Sequence, residues 1–169
     1  MIIWIHGKSN SGKTTLAKQF LKEVKKGKKK FIHIDGDEIR EIFSNNDYSI
    51  KGRLKNAKLI QNLVFLLNKN RINVIVSTLS IFKKILILNR KKIKNYFEIL
   101  ISSDKKNLYK RDKRNIYSKK DNIKKNVVGE DIKYLDTKSY DLIIKNDGTK
   151  KEFISNVKKI IKKNKLNFF

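Results

Sequence analysis

The chain contains no cysteine and no proline, one methionine and one tryptophan, and only 16 acidic residues against 42 lysines and arginines in 169 positions. Without cysteine there is no disulfide, no thiolate metal ligand and no cysteine nucleophile, a composition that suits a reducing compartment. Without proline, no helix or strand is broken by a residue lacking an N–H, and no proline-rich linker divides the sequence. Long apolar runs are also missing. Stretches such as "NLVFLL" at 62–67 fall far short of the ~18 residues that cross a bilayer. The opening "MIIWIH" has no basic leader, so the expectation is a cytoplasmic enzyme with no secretion signal and no membrane association. The length predicts a single domain over 1–169 that buries about two-thirds of its unfolded surface.

What the sequence has in excess is positive charge, formally +26. Such a balance raises nucleic acid or an anionic membrane as a partner. The basic residues, however, are 36 Lys and 6 Arg scattered as doublets and triplets among Ile and Asn along the whole chain. Aromatic residues do not interleave with them in any recognition motif, and no zinc-finger or RNA-recognition signature appears. This reads as compositional bias, so no specific nucleic-acid partner is expected, whereas attraction for anionic nucleotides follows from the charge. A basic nucleic-acid-binding protein without catalysis stays as the contrasting class; it would lose RNA affinity steeply with salt and show no ATP turnover.

The strongest local signal is "GKSNSGKTT" at 7–15, directly after the apolar "MIIWI". It fits G-x-x-x-x-G-K-[ST], in which Gly7 and Gly12 let the backbone curl so that consecutive N–H groups point inward. Together with the start of the following helix they cradle an anion. The expected ATP site is therefore Gly7, Ser9, Asn10, Ser11, Gly12, Lys13, Thr14 and Thr15. Lys13 reaches the β- and γ-phosphates, and the Thr14 hydroxyl sits on Mg²⁺. The flanks agree: Ile2 to Ile5 read as a buried strand, while Leu16, Phe20, Leu21 and Val24 recur at helical spacing.

Further along, "KFIHI" (30–34), "NVIVST" (73–78), "YFEILI" (96–101) and "YDLII" (140–144) read as short buried strands. "GRLKNAKLIQNLVFLLNKN" predicts a long amphipathic helix, and "KKEFISNVKKIIKK" a final helix with Phe153, Val157, Ile160 and Ile161 on one face. Five strands with intervening helices make a doubly wound α/β domain with a parallel sheet. The polar stretch from about 112 to 138 has no apolar period and reads as a lid or substrate loop.

At the end of the second strand stands "IDGDEIR". Carboxylates just beyond a parallel strand lie in the crevice where such sheets bind ligands. Asp35 is the candidate for holding Mg²⁺ or its waters, and Asp37 for accepting a proton from an attacking hydroxyl. The structural alternative makes Asp37 the N-cap of a helix starting at Glu38.

These elements, with "YSIKGRLKN", "STLSIF", "RDKRNIYSK" and "YDLII", follow the order and approximate spacing of the adenylyl-sulfate kinase family, which the chain resembles over nearly its whole length. The resemblance implies a P-loop kinase fold with a lid, and transfer of the ATP γ-phosphoryl group to the ribose 3′-hydroxyl of a second nucleotide, assisted by Mg²⁺. By position, Asp37 resembles the residue at the acceptor hydroxyl and Asp35 its partner near the metal. Arg40, Arg53 and Asn56 match acceptor-binding positions, Tyr48 falls where the family usually has a Phe against the acceptor base, and Ser80 matches the serine of an I-S-P turn. Lys119 matches a lid lysine acting on the acceptor side, and Arg111 the arginine packed over the ATP adenine; each also reads as an ordinary solvated charge.

The departures concern the acceptor. Where the family usually carries Phe-Thr-Gly in the lid, "NVVGED" has Val127 or Asn126, "DGDE" replaces D-G-D-N, and Ile81 replaces the proline of I-S-P. One stacking face for a purine is therefore missing, a loss of about 1–3 kcal/mol. A branch resembling cytidine diphosphoramidate kinases, which act in capsule phosphoramidate synthesis, suits the smaller ring, so a cytidine acceptor is favoured over adenylyl sulfate. A gluconate or shikimate kinase would share the phosphate loop but not the remaining motifs. The sequence leaves the oligomeric state open, with a homodimer among the expectations.

Overall fold

The computed structural model describes residues 1–24, 30–113, 115–117, 126–134 and 140–163. Five strands form one parallel sheet: β1 (Ile2–Gly7), β2 (Phe31–Asp35), β3 (Asn73–Thr78), β4 (Tyr96–Ser102) and β5 (Leu142–Lys145), in the order β2-β3-β1-β4-β5. All six residues of β1 are buried, as required of the central strand of a sheet covered on both faces.

Successive side chains of β1 point to opposite faces. Ile3 and Ile5 pack with Leu16 and Phe20 of α1 (Lys13–Val24) and with Phe153 and Val157 of α6 (Lys150–Lys163). Ile2 and Trp4 pack on the other face with Ile39 of α2 (Gly36–Ile42), Ile60 and Val64 of α3 (Ile50–Lys69), and Ile85 and Leu86 of α4 (Lys83–Lys92). The short α5 (Lys105–Lys110) follows β4. The doubly wound α/β architecture expected from the strand pattern is thus the one observed.

Several boundaries differ from the sequence reading by one or two residues, three of them at well-bonded ends. The fifth strand begins at Leu142 rather than at 140, just after Asp141, whose carboxylate takes two bonds from Arg90 (3.1 and 3.0 Å) and the Glu98 N–H (2.8 Å). The helix after β2 begins at Gly36, and its N-cap is Asp35, whose carboxylate accepts the Asp37 N–H at 2.9 Å; the alternative of Asp37 as cap is corrected. The long helix starts two residues before the apolar pattern, capped by Ser49, which accepts the Gly52 N–H. Within the expected lid, the described segments 112–113, 115–117 and 126–134 carry only a bridge between Val128 and Ile132.

Candidate active site

The C-terminal ends of the parallel strands gather the chemistry on one edge of the sheet. From β1 the chain enters the phosphate loop. A Cβ on Gly7 would lie 2.6 Å from the Ile101 carbonyl oxygen, and Gly12 has φ +103 with an added Cβ only 2.6 Å from Asn146 Nδ2. Both positions therefore exclude a side chain, Gly12 through its left-handed backbone as well. Lys13 Nζ donates to the Lys8 carbonyl at 2.7 Å, which folds the ammonium across the mouth of the loop.

Asp35 lies beneath. One carboxylate oxygen accepts from Thr14 Oγ1 (2.8 Å) and Ser77 Oγ (2.7 Å), and the other takes the Asp37 N–H. Burial pushes this carboxyl up, but the bonds from Ser77, the Asp37 amide and Thr14 outweigh it and leave the group below its ordinary range. With the Ser77 hydroxyl donating to Asp35, its oxygen accepts from His33 Nε2 at 2.9 Å. Burial lowers the His33 pKa, against the pull of Asp35 and Glu38. The result is an ionised carboxylate fixed beside the Thr14 hydroxyl.

Two adjoining cavities open here. The first, about 830 Å³, runs from the phosphate loop to the segment after β5, including Asn146 and Gly148. The second, about 420 Å³, is lined by Arg40, Tyr48, Arg53, Asn56, Ile116 and Val127, among others. Ser9, Gly36, Asp37, Thr78 and Leu79 line both. Asp37 is exposed whereas Asp35 is 8% exposed, so the two carboxylates differ in surroundings: one faces the shared wall, the other is held from below.

In the second cavity Arg40 donates to the carbonyls of Asn45 (2.8 Å) and Asp47 (2.9 Å), and its Cζ lies 4.5 Å from the Tyr48 ring centroid. Arg53 donates from Nε to the Tyr48 carbonyl and from Nη2 to the Asn126 carbonyl, both at 2.9 Å, and its Cζ stands 5.5 Å from the same ring. Burial, then the neighbouring Arg40, lowers the Arg53 pKa. Two guanidiniums and an aromatic ring on one wall suit an anionic group attached to a flat base.

The adenylylsulphate kinase profile matches residues 1–145. The chain belongs to the adenylylsulphate kinase family. It is 39% identical over 163 residues to a cytidine diphosphoramidate kinase of Campylobacter jejuni, covering 96% of this chain and 95% of that protein. It is 32% identical over 118 residues to a probable adenylyl-sulfate kinase of Pyrococcus abyssi, covering 69% and 68%. The fold matches that of the Mycobacterium tuberculosis APS kinase in complex with AMPPNP and APS, with TM-score 0.80, 24% identity and coverage of 95% and 96%. The chain is accordingly a phosphotransferase of an ATP-using P-loop kinase family.

Within this adenylylsulphate kinase family member, Ser9, Asn10, Gly12, Lys13, Thr14, Thr15, Asp35 and Arg111 all line the first cavity, while Gly7 and Ser11 are buried beneath it. Asp37, Arg40, Tyr48, Arg53, Asn56 and Val127 line the second. Ser80 lines neither; it is 6% exposed and accepts the Trp4 indole N–H at 3.0 Å. Arg111 donates to the carbonyls of Asn146 (2.8 Å) and Gly148 (2.7 Å), so it braces the segment that walls the ATP-side cavity. Lys119 lies outside the described residues.

The sequence reading missed Asn146 and Gly148, although "KNDG" immediately follows a parallel strand, where ligand sites are expected. Among the described residues no three His, Cys, Asp or Glu converge on a metal position, and no helix is long and apolar enough to cross a membrane. The Thr14 hydroxyl beside an ionised Asp35 fits a hard divalent ion that takes its other ligands from phosphate and water.

Proposed function

We propose that the chain transfers the γ-phosphoryl group of ATP to the ribose 3′-hydroxyl of a cytidine nucleotide, with cytidine diphosphoramidate as the favoured acceptor. The observation that carries this reading is the Asp37 carboxylate on the wall common to both cavities. A group so placed reaches a hydroxyl delivered from the smaller cavity at the point where it meets the terminal phosphate in the larger one.

Lys13 supplies positive charge to the migrating group once its ammonium exchanges the Lys8 carbonyl for phosphate oxygens. Thr14 and Asp35 would hold Mg²⁺, which when bound neutralises charge on the phosphates. Asp37 accepts the hydroxyl proton. Arg40 and Arg53 hold the acceptor's anionic tail, and Tyr48 carries its base. Lys119 acts on the acceptor, the role its match to the family's lid lysine implies.

The preference for cytidine rests on the lid wall, where Val127 and Ile116 contribute aliphatic side chains and Tyr48 is the one aromatic among the described lining residues. A pyrimidine needs less stacking area than a purine. The likeness to the cytidine diphosphoramidate kinase over 96% of the chain supports the same choice. The test is a panel of acceptors with ATP and Mg²⁺: adenylyl sulfate, cytidine diphosphoramidate, CDP and gluconate, with product mass and phosphorylated position as readouts. Phosphorylation of cytidine diphosphoramidate at the 3′ position with the highest kcat/KM is the expected result. A tenfold or greater preference for adenylyl sulfate (about 1.4 kcal/mol) would return the enzyme to sulfate activation.

A further inference from the structure

Residues 126–134 form a self-bonded turn rather than a loose strap. The Val127 carbonyl accepts the N–H groups of Glu130 (3.2 Å), Asp131 (2.9 Å) and Ile132 (3.1 Å), and the Gly129 N–H returns to the Ile132 carbonyl at 2.7 Å. The Val127 N–H donates to Asp131 Oδ2 at 2.8 Å. This block presents Asn126, Val127 and Val128 to the second cavity. Arg53 holds one end through the Asn126 carbonyl, and Glu130 is held by the Tyr109 hydroxyl (2.9 Å) and Lys105 (2.8 Å).

The other end is held from inside the protein. The Tyr134 hydroxyl lies 3.1 Å from His6 Nδ1, and His6 Nε2 lies 3.1 Å from Glu98 Oε1. His6 is 1% and Glu98 0% exposed. Glu98 also receives the Tyr96 hydroxyl (3.3 Å) and Arg90 Nη2 (3.5 Å), and a carboxylate among such donors acts as acceptor only. His6 Nε2 therefore carries a proton. In the neutral ring Nδ1 is then the acceptor and the Tyr134 hydroxyl the donor. Burial, then the Glu98 charge, raises the Tyr134 pKa, which keeps the hydroxyl protonated.

His6 immediately precedes Gly7, so this relay fastens the acceptor wall to the strand that carries the phosphate loop. We propose that Tyr134 and His6 are positioning residues for the acceptor: through the buried His6–Glu98 pair they fix the 126–132 block at the distance from the phosphate loop that the second substrate requires. This rests on the second cavity being the nucleotide-acceptor site.

The test is Tyr134→Phe, which keeps the ring and withdraws only the hydroxyl. In the ligand-free protein, hydrogen exchange at the amides of Glu130, Asp131 and Ile132 becomes faster, whatever the acceptor proves to be. With ATP and cytidine diphosphoramidate, KM for the acceptor rises about fivefold, the weight of one lost hydrogen bond, while KM for ATP is unchanged. His6→Gln keeps a donor for Glu98 but removes the Nδ1 acceptor. In that background Tyr134→Phe adds nothing, because the two residues act as one unit. Unchanged exchange, an equal rise in both KM values, or additive effects in the double variant would each overturn the assignment. Should the wild-type protein phosphorylate no nucleotide, the acceptor reading fails, and the exchange measurement still decides whether Tyr134 holds the block.

Discussion

The Asn146 side-chain amide donates to the Ser11 carbonyl at 2.8 Å, joining the segment after β5 to the middle of the phosphate loop across 135 positions of sequence. The Asn146 backbone carbonyl in turn accepts from Arg111 at 2.8 Å. One residue thus ties the phosphate cradle to the wall of the ATP-side cavity. Asn146→Ala leaves the Ser11 carbonyl without its donor, and KM for ATP should rise roughly tenfold. KM for the acceptor should stay within about twofold by the same principle of local loss. Initial-rate measurements with each substrate varied in turn check this.

Lys13→Ala should reduce kcat by about three orders of magnitude, since the ammonium acts on charge that develops during transfer. The side chain bonds a carbonyl at the loop surface and does not pack in either core, so circular dichroism and melting temperature should be close to wild type. A folded Lys13→Ala protein with normal turnover would remove the phosphate-loop assignment.

The two carboxylates should separate on substitution. Asp37→Asn should lower kcat far more than it weakens ATP binding, because the side chain stands exposed on the shared wall. Asp35→Asn should change the Mg²⁺ dependence and also cost stability, since its carboxylate caps α2 and accepts from Thr14 and Ser77.

The Asp35 carboxyl also has a pH signature. Its folded pKa lies below the ordinary value, so the ionised form favours folding. That contribution is present above the unfolded pKa and is lost as pH falls through the lower, folded one. Thermal unfolding followed through the acid range should show a steeper decline in wild type than in Asp35→Asn, where the other low-titrating carboxylates, Asp47, Asp147 and Glu152, remain.

Acceptor choice should respond to the lid wall. Val127→Phe supplies a second stacking face and should raise kcat/KM for adenylyl sulfate by an amount on the order of 1–3 kcal/mol, with little gain for a cytidine nucleotide. Tyr48→Ala should impair both. The comparison needs one fixed ionic strength, because the +26 formal charge attracts every anion.

The sheet was legible because its strands are short apolar runs, the central β1 and β3 buried on both faces, and the phosphate loop because only glycine tolerates the conformation and crowding at Gly12. The position of both carboxylates at the end of β2 was legible too, but not the cap, since D-G-D allows either Asp to begin the helix and only the Asp35-to-Asp37 bond decides. Contacts between distant segments left little local trace. Nothing near Ser80 signals that its hydroxyl would meet Trp4, 76 positions away, and nothing near His6 signals Tyr134, 128 positions away. The resemblance places Arg111 over the adenine; its bonds to the Asn146 and Gly148 carbonyls involve a loop after β5, some 35 positions on, that carries no local sign of them.

Strand β1, buried at every residue and paired on both edges, carries the phosphate loop, whereas the acceptor wall combines residues of α2 and α3 with the exposed α2–α3 connection and the 126–132 turn. These parts open with very different free energies, the central strand near the global limit and peripheral turns far below it. Substitutions at the rim of the acceptor wall, at Tyr48 or Val127, therefore draw on little of the molecule's stability, and those in the cradle draw on far more of it. A lineage built this way can exchange one second substrate for another by a few changes at its rim while the machinery that handles ATP stays as it was.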